Sequence, residues 1–191
     1  KKISIGSQNC YQKEQFSSNT AAVSPFMLRS VGAKYTLVGH SDNRGEGDTD
    51  STLKDKVKYA LKNNLKVVFC IGEDKFEKKK KQTLSVLKRQ LTKVLEKNFN
   101  KNNIIVAYEP IWSIGTGKIP TASELKKTTI YIKKVLKSIF KKNSPAVLYG
   151  GSVDGSNVEM FKEIKEIDGF LIGGASKSSK KFIDIIKNYY R

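Results

Sequence analysis

The chain is 191 residues long, 38% hydrophobic and 28% charged, which suits one soluble globular domain with a sizeable core. Its 36 basic and 18 acidic residues give a net charge of +18, and the excess is lysine, because arginine occurs only at 29, 44, 89 and 191. No run of about 18 apolar residues occurs, so no membrane partner is expected.

The first residues, "KKISIGSQNC", are too short and polar for a secretory signal and lack an initiator methionine. The chain is therefore expected to be a processed product or a piece of a longer one. A first strand is predicted near Ile3 to Ile5 and a second at Tyr35 to Val38. Leu53, Val57, Ala60 and Leu61 then form one helical stripe. A third strand is expected at Val67 to Cys70, followed by the stripe Leu84, Leu87, Leu91, Val94 and Leu95. The densest lysine run, Lys78 to Lys81, falls inside a helical pattern. A fourth strand at Ile104 to Ala107 precedes a helix carrying Leu125, Ile132, Val135, Leu136 and Ile139 on one face. Thr121 and Glu124 form a capping box at its start. Strands at Ala146 to Tyr149 and Gly169 to Ile172 follow. A last helix, around Phe182 to Tyr189, is expected to turn Phe182, Ile185 and Ile186 inward.

Each strand is nearly continuously apolar, as in a parallel sheet buried on both faces. Strand then helix, six times over, reads as an α/β protein. A doubly wound open sheet and a (β/α)-barrel both fit, and both place chemistry at the carboxyl ends of the strands. No G-x-G-x-x-G follows the first strand, so a dinucleotide site is disfavoured. The lysines are spread along the chain without arginine forks, which favours solvated helix faces over nucleic-acid binding. Cys10 and Cys70 form no C-x-x-C pair and His40 is the only histidine, so free thiols and no metal site are expected.

Four features sit at strand ends. Glu109 lies between an apolar run and Pro110. It is either half of a structural ion pair or a general base in a partly apolar pocket that raises its pKa. His40 follows "TLVG" and precedes Ser41 and Asp42. It is either a satisfied histidine or a neutral imidazole donating to a carbonyl. Gly150-Gly151-Ser152 and Gly173-Gly174 follow the last two strands. Each could be a tight turn, but two such pairs in those places favour backbone N–H groups around a phosphate. The segment Pro110, Ile111, Trp112, Ser113, Ile114, Gly115, Thr116, Gly117 and Lys118 has stiff ends, a small-residue tip and the only tryptophan. A lid fits it better than an ordinary loop. Base, electrophile, phosphate cradle and lid together point to proton abstraction next to a carbonyl on a small phosphorylated substrate.

"AYEPIWSIGTGK" resembles the signature of the triosephosphate isomerase family, and "AKYTLVGHS", "CIGE", "LYGGSV" and "DGFLIGGAS" resemble its other motifs in the same order. The resemblance covers essentially the whole chain. It implies a TIM (β/α)8-barrel with about six βα units present, a single domain over 1–191 that is N-terminally incomplete. It implies the interconversion of dihydroxyacetone phosphate and glyceraldehyde 3-phosphate through an enediolate, without cofactor or metal. Glu109 would move the proton and His40 would polarise the carbonyl. N–H groups of Gly115, Ser152, Gly173 and Gly174 would hold the phosphate. Tyr149 and Ser152 would latch the closed lid, and Asp42 would stand where the family has a supporting glutamate. Thr20 would reach into the other subunit of a homodimer, although Asn43 and Ala22 replace an interface ion pair of the family. The family's "N-x-K" loop finds no match here, so the 191 residues alone are expected to be a weak isomerase. A catalytically impaired relative and a lysine-rich polyanion binder are the alternatives. The cytoplasm is the expected compartment, or a plastid-type organelle if a transit peptide precedes the chain.

Overall fold

The computed structural model describes residues 3–13, 18–141 and 143–191. Six strands form one sheet: β1 (Gly6–Ser7), β2 (Tyr35–Val38), β3 (Lys66–Ile71), β4 (Ile104–Tyr108), β5 (Ala146–Tyr149) and β6 (Gly169–Phe170). Every neighbouring pair is parallel, and the order in space is the order in sequence. A doubly wound sheet reverses direction at a switch point. This sheet has no reversal, so of the two architectures that fit the sequence the barrel type is the one formed.

Helices α1 (Pro25–Ser30), α2 (Ser41–Gly45), α3 (Asp50–Lys62), α4 (Lys75–Lys79), α5 (Thr83–Val94), α6 (Ala122–Phe140) and α7 (Ser179–Tyr190) complete the chain. α6 begins with the expected capping box: Thr121 accepts from the Glu124 N–H, and Glu124 accepts from the Thr121 N–H.

Side chains alternate along each strand and so divide the core in two. Val67, Phe69 and Ile71 of β3, with Ile104, Val106 and Tyr108 of β4, face the helices and join the main core. There they meet Leu53 and Val57 of α3, Leu87 and Leu91 of α5, and Leu125, Ile132 and Leu136 of α6. Each such aliphatic chain contributes about 1.5–3 kcal/mol by leaving water. Val68, Cys70 and Ala107 face the inside of the curl, against the half-buried Tyr35, Leu37, Ile105, Leu148 and Leu171. Two residues beyond Ala107 along the chain, the same parity turns Glu109 inward.

Several expectations are corrected. The first strand is Gly6–Ser7 and not Ile3 to Ile5, whose two isoleucines are exposed, and the last ends at Phe170 and not Ile172. Among the described residues each of these strands pairs on one side, so one partner sets its length. Between β5 and β6 the connection is a short 3₁₀ turn, Val158–Glu163, not an α-helix. Its Val158 and Phe161, three residues apart, are buried together, as a threefold helix allows. On α7 only Ile185 is buried, while Phe182 and Ile186 are exposed. Leu84 of α5 is half-buried. The Lys78 to Lys81 run ends α4 rather than sitting within a helix, with Lys81 in a left-handed turn at φ 58°.

Candidate active site

Glu109 is 3% exposed at the end of β4. Burial is the main reason its carboxyl pKa is pushed up to about 8; the nearby Asp42 adds to this, while a hydrogen bond from Cys70 and the charge of Arg44 oppose it. A carboxyl held close to neutrality can both take and return a proton near physiological pH. The adjacent β3 end passes so closely that a Cβ on Gly72 would lie 1.8 Å from the Glu109 carbonyl oxygen. Only a glycine lets the two chains touch there. Gln90 of α5 pins that crossing, accepting from Gly72 N–H and donating to Gly72 C=O, both at 2.9 Å.

His40 caps the N-terminus of α2. The Asp42 N–H donates to its Nδ1 at 3.2 Å. The Asp42 carboxylate also stands 3.4 Å from Nδ1, but the backbone N–H can only donate, so Nδ1 serves as an acceptor. The ring's proton then sits on Nε2, which faces Glu109 Oε1 at 3.7 Å. That gap is too long for a direct hydrogen bond. It leaves the imidazole N–H and the carboxylate converging on the same space.

Arg44 supports this corner. Its Nε donates to Gly39 C=O at 2.8 Å and its guanidinium to Cys70 C=O at 3.1 Å, tying the ends of β2 and β3 together. Behind the other side, Lys56 is buried and paired with Asp48 at 2.7 Å. It also donates to Asn9 Oδ1 at 3.0 Å, which fixes the segment after β1.

The segment 110–118, expected to be a lid, is anchored at both ends. At its base Trp112 Nε1 donates to Glu73 Oε1 at 2.9 Å, and Tyr108 donates its hydroxyl to the same buried carboxylate. Lys78 lies 3.9 Å from the centre of the Trp112 ring. Ser113, fully buried, donates to Lys118 C=O at 2.5 Å and stands 3.2 Å from the Tyr149 hydroxyl. At the tip, Gly117 N–H donates to Ser152 Oγ at 3.2 Å. Gly115 and Gly117 hold left-handed backbone, φ 67° and 71°, which the small-residue tip accommodates. Burial pushes the Tyr149 hydroxyl up to about 12, so it stays protonated beside the lid.

One cavity of about 530 Å³ brings these parts together. Its walls include His40, Asp42, Glu109, Gly115, Ser152, Gly173 and Gly174, all singled out from sequence. Of the lid, only Ile114 and Gly115 line it, and Tyr149 acts behind the wall through Ser113. Thr20 is exposed and does not line it. The described residues hold no group of three or more histidines, cysteines or acids arranged for a metal.

A family profile described as triosephosphate isomerase matches residues 1–189. The chain belongs to the triosephosphate isomerase family. It is 40% identical over 189 residues to the triosephosphate isomerase of Yarrowia lipolytica, covering 97% of this chain and 76% of that one. Against the Saccharomyces cerevisiae enzyme the identity is 40% over 190 residues, with 97% and 76% covered. The crystal structure of triosephosphate isomerase from Bartonella henselae matches with a TM-score of 0.90 at 33% identity, over 99% of this chain and 77% of that one. The sheet order, the curl and the motif order all follow from this membership: the fold is a TIM (β/α)8-barrel of which this chain forms six strands.

Four residues in or against the cavity were not marked by the sequence reading. Gln8 and Asn9 line the cavity just beyond β1, and Lys181 lines it from the first turn of α7. Cys70 sits against the Glu109 carboxyl from the inner face of β3. The alternation of β3 places Cys70 inward and was the available signal for it. Gln8, Asn9 and Lys181 carry no local signal, because only the curl of the sheet and the packing of α7 bring them to the cavity.

Proposed function

We propose that Glu109 and His40 are the acid–base pair with which this chain interconverts dihydroxyacetone phosphate and glyceraldehyde 3-phosphate. The observation that carries the assignment is the convergence of His40 Nε2–H and the buried Glu109 carboxyl, 3.7 Å apart, on a cavity walled by the two glycine pairs. Glu109, ionised, takes a proton from the carbon beside the carbonyl. The electron pair left behind moves into the carbonyl, and the oxygen that gains charge accepts a hydrogen bond from His40 Nε2–H. The same carboxyl then returns the proton to the neighbouring carbon, while the hydroxyl proton passes from one oxygen of the enediolate to the other by way of His40 Nε2, so that the first oxygen closes the new carbonyl. One carbon is oxidised as its neighbour is reduced, so the exchange is internal and the reaction requires only fixed donors and one base, with no external electron acceptor.

Backbone N–H groups of Gly115, Ser152, Gly173 and Gly174 are the proposed phosphate grip. Pro110 to Lys118 is the proposed lid, with the Gly117–Ser152 and Ser113–Tyr149 contacts as its latch. A dry site matters because the enediolate loses phosphate when water and solvent protons reach it. A homodimer built through the Thr20 loop belongs to the same proposal; the exposed Val23, Phe26 and Met27 that follow it support a covered surface. The cytoplasm is the proposed compartment.

A coupled isomerase assay of the chain and its Glu109→Gln and Glu109→Asp variants tests the assignment. Removing a general base lowers turnover by about 10²–10⁴-fold. Glu109→Gln should show that loss, and Glu109→Asp a smaller one. Equal turnover in wild type and Glu109→Gln would remove Glu109 from the mechanism.

A further inference from the structure

The cavity's charges do not match its proposed ligand. Among the described lining residues the acids are Asp42, Glu109 and Asp154, and Lys181 is the only lysine or arginine. Even with Glu109 largely protonated near neutral pH, two aspartates stand against one lysine, so a chain of net charge +18 presents a locally acidic wall to a phosphate dianion. Backbone N–H groups supply partial charges, but among the described lining residues no lysine or arginine besides Lys181 opposes the acids.

Lys181 is placed for that role by local structure. After the 3₁₀ turn Gly174–Lys177, Ser178 caps α7, its hydroxyl accepting from the Lys181 N–H at 3.4 Å. The cap fixes the Lys181 backbone in the first turn, a few residues beyond Gly173-Gly174, and its side chain reaches the cavity wall. Asp154 lines the same cavity, and its carboxylate accepts from Ser156 N–H at 2.8 Å, Ser156 Oγ–H at 2.5 Å and Asn157 N–H at 3.1 Å. Those bonds and the charge of Lys181 keep Asp154 ionised, below the usual carboxylate range. Asp154 is therefore a competitor for the ammonium when no ligand is bound.

The geometry points to Lys181 as the charged anchor of the substrate's phosphate, exchanging Asp154 for the phosphate when ligand enters. This rests on the reading of the cavity as a triose phosphate site. The ammonium complements the backbone grip: N–H groups fix the position of the phosphate, and the point charge offsets the acids around it. Lys181 touches the non-reacting end of the substrate, so it acts on binding rather than on proton transfer.

The probe is glycerol 3-phosphate, titrated calorimetrically into the 191-residue chain and into Lys181→Met, Lys181→Arg, Asp154→Asn and Lys180→Met. Lys180 shares the first turn of α7 but does not line the cavity. At about 20 mM salt Lys181→Met should weaken binding about 5-fold, Asp154→Asn should tighten it about 2-fold, and Lys181→Arg should keep it. At about 200 mM salt the gap between wild type and Lys181→Met should narrow, because screening acts on an exposed charge. Lys180→Met should stay close to wild type throughout. Equal weakening by Lys180→Met would show a general field in place of an anchor and overturn the inference, as would wild-type affinity in Lys181→Met. A wild-type chain that does not bind glycerol 3-phosphate would overturn the reading of the cavity as well as the role of Lys181. Binding by wild type with no change in Lys181→Met would overturn the role alone.

Discussion

Gly150 holds the Glu109 carboxyl in place by leaving room for it. A Cβ added at Gly150 would lie 2.7 Å from Glu109 Cγ and 3.2 Å from Oε1. Ordinary contact begins at 3.4 Å, so the side chain of Gly150→Ala must drive Glu109 away by roughly 0.7 Å at Cγ, and more at the carboxyl tip. The backbone gives no relief, because Gly150 N–H is bonded to Tyr108 C=O at 2.8 Å. Glu109 has little freedom either, being 3% exposed and backed by Cys70. An off-rotamer retreat costs about 0.5–1.5 kcal/mol, which the fold can absorb. The catalytic cost is larger, since a misplacement of about 1 Å at a reacting group costs on the order of 100-fold in rate. The assay is steady-state isomerisation in both directions, with thermal melting of the same samples. Gly45→Ala is the control, because a Cβ there meets nothing within 4 Å and Gly45 has no positive φ. Gly150→Ala should lose about 100-fold in kcat with a small shift in Tm. Turnover within about 3-fold of wild type, with folding intact, would refute a carboxyl positioned by its contact with Gly150.

The pH dependence of stability follows from the raised pKa of Glu109, about 8 against 4.5 for an ordinary glutamate. The folded state holds that proton more tightly, so its contribution is full below pH 4.5 and is lost as pH rises through 8. Glu109→Gln should therefore flatten the decline in Tm across that window, and an unchanged slope would count against the shift. Ser113→Ala removes the hydroxyl that bonds Lys118 C=O and meets Tyr149, so trypsin should cut after Lys118 faster than in wild type; equal cleavage rates would show that the hydroxyl does not hold the lid. Lys56→Met leaves the mostly buried Asp48 unpaired, which should cost about 3 kcal/mol in urea unfolding; a loss below about 1 kcal/mol would mean that Asp48 finds water.

The central strands were legible because their apolar runs are set by burial on both faces. Tyr35–Val38 and Ala146–Tyr149 form over the expected residues. The outer strands were not, since Ile3 and Ile5 are as apolar as core residues but have no neighbour to cover them. α7 misled for a related reason. Its apolar residues are more numerous than one buried face requires, and only packing decides that Ile185 enters while Phe182 and Ile186 do not. At the site, Glu109, His40 and the glycine pairs stood out as costly residues at strand ends. Lys181 is one of many lysines, and Gln8 and Asn9 follow a two-residue strand, so nothing in their spacing marks them.

A sheet whose order in space repeats its order in sequence is mechanically graded. Among the described residues, opening β1 or β6 breaks one ladder, whereas opening β3 or β4 breaks two. Amide exchange should be slowest in the middle and fastest at the rims, as local opening follows the number of ladders broken. Glu109 hangs from β4, while Gly173 and Gly174 follow β6 and Asn9 follows β1. In the proposed mechanism, the base that must keep sub-ångström aim is thus rooted in a strand paired on both sides. The proposed phosphate grip at Gly173 and Gly174 follows a strand that pairs on one side among the described residues.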